Sequence, residues 1–297
     1  MPELPDVVLY VEALKTRILG ERLSGFRLRS PFVLRSVDPS IESIQGASVR
    51  NVLRVGKRIV IAFDRDLFLV LHLMIAGRLR WREPGQKLGM APKLILASFE
   101  FSAGALFFTE ASSRKRASMQ LVRGMEAVRE LDPGGVEPLE TTLEAFREAL
   151  ARASHTLKRS LTDPHLFSGI GNAYSDEILH AARLSPLKLT RSLSAEETER
   201  LYHAMQGTLV AWIDRLRADA AGTFPEKVTA FRGEMAVHGR FKKPCPVCGA
   251  AVQRIVYAEN ECNYCAKCQT GGRLLADRSL SRLLKGDRPR SIDDLNQ

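Results

Sequence analysis

Two Cys-x2-Cys pairs, Cys245 with Cys248 and Cys265 with Cys268, stand sixteen residues apart near the C-terminal end of the sequence. Two tight turns at that separation can bring four thiolates to one tetrahedral zinc ion at about 2.3 Å, the geometry of a closed structural site. The intervening hairpin, residues 250–264, is too short to bury a core, so metal binding has to supply most of its folding free energy. The chain opens with charged residues and not with an apolar signal segment, which disfavours disulfides and leads us to expect a reducing, cytoplasmic setting. A fifth cysteine, Cys262, forms another tight pair with Cys265, and spacing alone does not choose between the two frames.

Charge narrows the partner. Lys and Arg outnumber Asp and Glu by 44 to 34, for a net charge of +10 and a pI near 9.6, so a polyanion or an acidic surface is the natural ligand. An apolar fraction of 45% suffices for one or two buried cores. No apolar run is long enough to cross a bilayer, so a soluble protein without a membrane partner is expected. No GxxxxGK[ST] pattern is present, which argues against an NTPase.

Apolar residues at Val7, Val11, Leu14 and Ile18 recur with helical spacing, and Pro5 and Asp6 suit the first turn of that helix. Short β-prone runs follow at 23–28, 48–53, 58–63, 67–73, 94–101 and 105–109, and their spacing predicts a β-sandwich or barrel. At 131–138 the composition shifts to Asp-Pro-Gly-Gly and Glu-Pro, the mark of a linker, and helical periodicity takes over to about residue 221. Ser194 and Glu197 form a capping box ahead of a helix whose apolar face carries Leu201, Met205, Leu209, Trp212 and Leu216.

Two segments suggest chemistry. Residues 168–174 place Gly169, Gly171 and Asn172 where a helix begins, so backbone N–H groups and the Asn172 amide could hold a phosphate, or could simply cap a turn. At the N-terminus, removal of Met1 would leave Pro2 as a secondary amine beside Glu3. An α-amine has a reference pKa of about 8, far below that of lysine, which suits Schiff-base chemistry.

These features combine in order: Pro2-Glu3-Leu4-Pro5-Asp6, Val55-Gly56-Lys57-Arg58, the run from His72 to Arg78, Gly169 to Tyr174 with Asp176-Glu177, Val237-His238-Gly239-Arg240, and the finger closing on Cys268-Gln269. Together they resemble the formamidopyrimidine-DNA glycosylase and endonuclease VIII (Fpg/Nei) family of base-excision repair enzymes. The resemblance implies an α+β multidomain protein. It would comprise an N-terminal β-sandwich with an N-terminal helix (residues 1–130), a linker (131–142), a helix-two-turn-helix domain (143–224), a zinc-finger β-hairpin region (225–270) and a basic tail without a family role (271–297). It also implies one structural Zn2+ on Cys245, Cys248, Cys265 and Cys268, with Cys262 a bystander.

By the same resemblance the chain is a bifunctional DNA glycosylase and abasic-site lyase. Pro2 would attack C1′ of the damaged nucleoside, Glu3 would transfer protons, Lys57 would sit near the flipped sugar and its phosphate, and β,δ-elimination would nick the strand. His72, Lys158 and Asn172 are the candidates for phosphate contacts, and Ile75 for the wedge that fills the gap left by an extruded base. The partner implied is double-stranded DNA with damaged bases or abasic sites, bound by a monomer in a bacterial-type, nucleoid-associated location.

The sequence departs from its relatives in several places. Met74-Ile75 replaces Gly-Met in the intercalating turn, residues 109–118 lack Asp-Pro-Arg-Arg-Phe, Asn260 stands where a phosphate-gripping arginine is typical, and Asp6 stands where glutamate is usual. Residues 222–239 also form a shorter segment than the loop that closes over oxidised guanine. These departures motivate the alternative of a catalytically weak damaged-DNA-binding protein of the same fold. A zinc-ribbon protein that binds RNA without chemistry would leave Pro2, Glu3 and Lys57 without a reason to occur together. Arginines and leucines in 271–297 suggest an amphipathic helix, either a further DNA contact or simple packing.

Overall fold

The computed structural model describes residues 1–226, 228–229, 232–257, 260–275, 290–292 and 294, and the chain divides into two compact units. The first comprises Met1–Pro133 and Trp212–Thr229, the second Gly134–Ala211 and Ala230–Gln297. Most of the basic tail, including the amphipathic helix expected there, lies outside the described residues.

The first unit opens with helix α1 (Leu4–Ile18), whose buried Val7, Tyr10, Val11, Leu14 and Ile18 join the main core. Eight strands follow: β1 (Gly25–Leu28), β2 (Val49–Val55), β3 (Arg58–Phe63), β4 (Leu67–His72), β5 (Gly77–Arg82), β6 (Ile95–Phe101), β7 (Gly104–Glu110) and β8 (Ser118–Arg123). They form two four-stranded sheets, in the orders β1-β6-β7-β5 and β2-β3-β4-β8, with all strand pairs antiparallel. Residues such as Leu69, Leu71, Phe99 and Phe108 bury their side chains in one apolar cluster shared by both sheets, which makes this a β-sandwich.

Strands β5 and β8 were not among the β-prone runs. In β5, Leu79 and Trp81 point to the core while Arg78, Arg80 and Arg82 alternate on the other face, so the period-2 signal is diluted by charge. Those arginines also hold the segment that follows the long helix. Arg80 and Arg82 both pair with Glu226, and the Arg78 Nε donates to the Val228 carbonyl at 2.7 Å. Phe224 and Val228 complete the attachment by entering the core.

A short helix α2 (Met125–Arg129) ends this stretch. The second unit then builds α3 (Leu143–Ala151), α4 (Leu157–Thr162), α5 (Asn172–Ala181) and the first part of α6 (Ala195–Ala220), whose remaining residues belong to the first unit. The capping box ahead of α6 forms as the spacing predicts. The Ser194 backbone N–H donates to Glu197 Oε2 at 2.9 Å, and the Glu197 N–H donates to Ser194 Oγ at 3.2 Å. Leu201, Met205, Leu209, Trp212 and Leu216 are all buried. The chain then forms the antiparallel hairpin of β9 (Gln253–Tyr257) and β10 (Asn260–Tyr264), followed by the one-turn helix α7 (Ala266–Thr270).

Candidate active site and metal centre

Glu3 is the N-cap of α1 and takes part in a capping box: its backbone N–H donates to Asp6 Oδ2 at 3.0 Å, and its carboxylate accepts from the Asp6 N–H. The arrangement leaves the Glu3 residue only 2% exposed. Pro2 is buried beside it. Burial of the chain's α-amine, carried by Met1, lowers its pKa below 8.0; Glu3 opposes this, and Arg78 and Lys57 reinforce it. The mutual influence of these groups puts Glu3, Lys57 and Arg78 around the N-terminus.

Each of these side chains has a structural reason to be there. Lys57 sits in the two-residue turn between β2 and β3, which Gly56 closes at a φ of 58°. His72 ends β4 opposite Arg58 on β3. Burial, with Arg58 and Lys57 nearby, pushes its pKa down to about 4, so at neutral pH it offers an uncharged hydrogen-bonding group. Ile75 is 55% exposed at the tip of the β4–β5 turn, where Met74 adopts a left-handed φ of 51°. An apolar side chain presented on a tight turn has the form a wedge requires. The loop between β7 and β8 is closed by the buried Glu110 carboxylate, which accepts from the N–H groups of Arg116 and Ala117.

In the second unit Asn172 is the first residue of α5, after Gly169 at a φ of 78° and the N-cap Gly171. Its side-chain Nδ2 donates to the Glu261 backbone carbonyl on β10 at 2.8 Å, and its backbone carbonyl accepts from Lys158 Nζ at 2.6 Å. Lys158 also forms an ion pair of 2.5 Å with the fully buried Asp176. Asp176 accepts in addition from His238 Nδ1 at 2.8 Å and from the Asn263 N–H at 3.1 Å. Burial acts to raise the Asp176 pKa, but Lys158 and His238 outweigh it and hold the carboxyl below its ordinary value. Its neighbour Glu177 accepts three consecutive backbone N–H groups, those of Ala236, Val237 and His238, at 2.7 to 2.9 Å. Lys158 and Asn172 are therefore joined to the hairpin and to the 236–238 segment by one polar network.

A cluster of four cysteines that could hold a metal ion is the second feature of this unit. Sulfur atoms of Cys245, Cys248, Cys265 and Cys268 all lie within 4.8 Å of one another, with Cys248 and Cys265 3.4 Å apart and Cys245 and Cys268 3.9 Å apart. A tetrahedron with zinc–sulfur bonds of about 2.3 Å has sulfur–sulfur edges of about 3.8 Å, so the four thiols fit the ion. The first pair is shaped by a turn in which Gly249 takes a φ of 75° and donates to the Cys245 carbonyl at 2.9 Å. In the second pair, Cys265 is the N-cap of α7, and its sulfur accepts from the Cys268 N–H at 3.5 Å. Cys262 is not a member of the cluster. It lies buried on β10 opposite Ile255, and burial pushes its thiol pKa well above the usual value.

Sequence reasoning missed Arg78 as a cationic neighbour of the N-terminus, and Asp176, Glu177 and His238 as the polar network. All four lie in motifs that were visible, but nothing in a linear pattern says that Asp176 and His238 meet. Asn260 opens β10 opposite Tyr257.

Comparison with known proteins agrees with this geometry. A family model described as the formamidopyrimidine-DNA glycosylase N-terminal domain matches residues 1–117, and one described as the formamidopyrimidine-DNA glycosylase H2TH domain matches residues 135–220. A formamidopyrimidine-DNA glycosylase of Desulfitobacterium hafniense is 30% identical over 281 residues, which cover 91% of this chain and all of the relative. One of Heliobacterium modesticaldum is 31% identical over 282 residues with the same coverage. Among solved structures, wild-type Lactococcus lactis Fpg in complex with an oxidised-pyrimidine-containing DNA superposes with a TM-score of 0.79 at 25% identity, covering 91% of this chain and all of the other.

Proposed function

The chain belongs to the formamidopyrimidine-DNA glycosylase family, and from that premise we propose that it excises oxidised or ring-opened bases and then cleaves the strand at the resulting abasic site. Removal of Met1 frees the Pro2 nitrogen. That nitrogen attacks C1′ of the damaged nucleoside, the bond to the base breaks, and the base leaves with a proton. Glu3 assists opening of the sugar ring by proton transfer, and the product is an iminium that joins Pro2 to the open sugar. The iminium acidifies the C2′ hydrogen, so its loss expels the 3′ phosphate, and a second elimination expels the 5′ phosphate. Water then releases the enzyme.

One observation carries this reading: Pro2 and Glu3 are buried side by side at the head of α1, and the groups that act on the α-amine next to them, which Met1 carries, include Glu3, Arg78 and Lys57. Once Met1 is removed the α-amine belongs to Pro2, and an α-amine, with a reference pKa of about 8, is unprotonated in part at neutral pH and so is nucleophilic. Lys57 and Arg78 would stabilise the phosphates that flank the extruded sugar. Ile75 would occupy the vacated stack, and Asn172, with His72 and Lys158, would set the backbone register. Cys245, Cys248, Cys265 and Cys268 would hold a zinc ion, which would supply folding free energy to the hairpin. With its sulfur ligands ionised, His180 Nε2, 3.3 Å from Cys245 Sγ, would donate a hydrogen bond to that thiolate.

Borohydride trapping on abasic-site duplex tests the proposal. A covalent adduct with the mature protein, lost in Pro2→Gly and in a form that retains Met1, is the expected result. DNA binding without any adduct would instead assign a damage-binding role.

A further inference from the structure

The connection from β1 to β2 leaves the edge of one sheet and meets the edge of the other. Arg29 and Ser30 donate backbone N–H groups to the Leu96 carbonyl on β6, at 2.9 and 3.1 Å. A single 3-10 turn over Pro31–Val33 follows. The Arg35 N–H then donates to the Met119 carbonyl on β8 at 2.8 Å, and Ser36 Oγ accepts from the Leu121 N–H at the same distance. The turn is thus anchored on both sides, and Val33 is buried beneath it.

Phe32, in the middle of this anchored turn, is 81% exposed, and Val37 beyond it is 92% exposed. Leaving a phenylalanine in water forgoes the free energy that its burial would contribute. In the same stretch of chain, Arg27, Arg29 and Arg35 are exposed, and their side chains make no ion pair or hydrogen bond among the described residues. The stretch 25–39 carries those three arginines against one carboxylate, Asp38. Leu34 forms a parallel bridge with Met119, so the residues before it run toward the start of β8. The exposed Arg114 and Arg116 lie in the loop that leads into that strand.

An exposed ring on an anchored turn, with exposed arginines on both sides of it in the chain, matches a nucleic-acid strand with accessible bases. Duplex bases already stack on one another, so only an unpaired base can offer its face to Phe32. We propose that this turn is a second nucleic-acid contact, where Phe32 stacks on a base of a single-stranded segment while Arg29 and Arg35 hold the adjoining phosphates. The proposal rests on the reading of the chain as an enzyme that acts on DNA.

The test compares the full-length protein with Phe32→Ala, Phe32→Leu and Phe32→Trp, binding an oligothymidylate and an undamaged duplex of equal length. Stacking on one base predicts that Phe32→Ala and Phe32→Leu weaken the single-stranded complex by about five- to 150-fold. Phe32→Trp should retain it, and duplex affinity should change less than twofold. Arg29→Ala with Arg35→Ala should lower the salt slope of single-strand binding by about 1.4. Unchanged single-strand affinity in Phe32→Ala, or an equal loss on the duplex, would overturn the proposal. So would a Phe32→Ala effect confined to anionic vesicles or to self-association in sedimentation. Borohydride trapping by Phe32→Ala on abasic duplex should match the parent protein. Failure of trapping in the parent, with the Phe32 effect intact, would sink the catalytic reading and leave this contact standing.

Discussion

In the sandwich, Leu69, Leu71, Phe99 and Phe108 are fully buried members of one continuous apolar cluster, whereas around the hairpin the buried apolar residues form two groups of four. One of those groups counts Cys245 and Cys265 among its members, so two of the four candidate metal ligands are themselves part of the core there. The gap is filled by polar groups: Asp176 and Glu177, both buried, gather Lys158, His238, Asn263 and three backbone N–H groups of residues 236–238. Burial of apolar area is insensitive to chelators and nearly so to pH. A region held by thiolates and buried carboxylates depends on both. The same chain thus combines a scaffold indifferent to its ionic surroundings with one that depends on them.

The largest expected effect tests that contrast directly. Structural zinc sites contribute about 10–16 kcal/mol of apparent binding free energy at neutral pH, more than the two small apolar groups can replace. Chelation, or Cys268→Ser, should therefore remove the metal and abolish hydrogen-exchange protection in residues 237–275, while the sandwich keeps its own. Cys262→Ser should retain one zinc per chain. A zinc assay with those two outcomes exchanged would break the assigned frame, and loss of sandwich protection on chelation would break the comparison itself.

Next in size is the buried charge network. Asp176→Ala leaves the Lys158 ammonium largely buried without its partner, which typically costs about 3–5 kcal/mol, and adding Lys158→Met should recover part of that. An ion pair of the first unit supplies the contrast: Arg217 and Glu12 are about half exposed, and removing either should cost about 0–1 kcal/mol. The pH dependence has a defined sign. Because the folded Asp176 pKa lies below the ordinary value, its contribution is complete above about pH 3.9 and is lost as pH falls through the lower folded value. Urea unfolding of the two single variants side by side would measure the difference; equal costs would refute it.

How much of this was legible in the sequence follows from the same division. The sandwich, the first helix and the α6 capping box were readable because they are written in local period and punctuation: apolar alternation, helical spacing, Ser194 with Glu197. Two strands were lost: β5, whose alternation is carried by arginines, and β8, where only Met119 and Leu121 are buried in a run broken by Ser118 and Gln120. Cysteine spacing could be read as a metal site, yet it left two frames open, and only the fold separates Cys262, facing Ile255 across the hairpin, from the four clustered thiols. The Asp176 network was out of reach because its partners come from positions 158, 238 and 263, and pairing at such separation has no local signature. His72 shows the same limit: the residue was noted, but its charge state depends on burial and on the cations beside it.

That histidine also supplies a smaller effect than the loss of Asp176, as an exception to the sandwich's indifference to pH. Unfolded, His72 takes up a proton near pH 6.5; folded, its burial beside Arg58 and Lys57 delays this to about pH 4. Between those values the unfolded state binds more protons, so stability from this group is complete above pH 6.5 and declines as pH falls toward 4, by at most about 3 kcal/mol. His72→Gln should flatten that decline, and an NMR titration of the ring should give a midpoint near 4. A midpoint above 6 would show that the imidazole is solvated and would remove the exception. The same charge state carries into function: a neutral ring at pH 7 releases no counterion, so His72→Gln should leave the salt slope of DNA binding unchanged, whereas loss of a lysine contact to phosphate lowers it by about 0.9. A slope reduced by His72→Gln would mean that DNA binding itself protonates the ring.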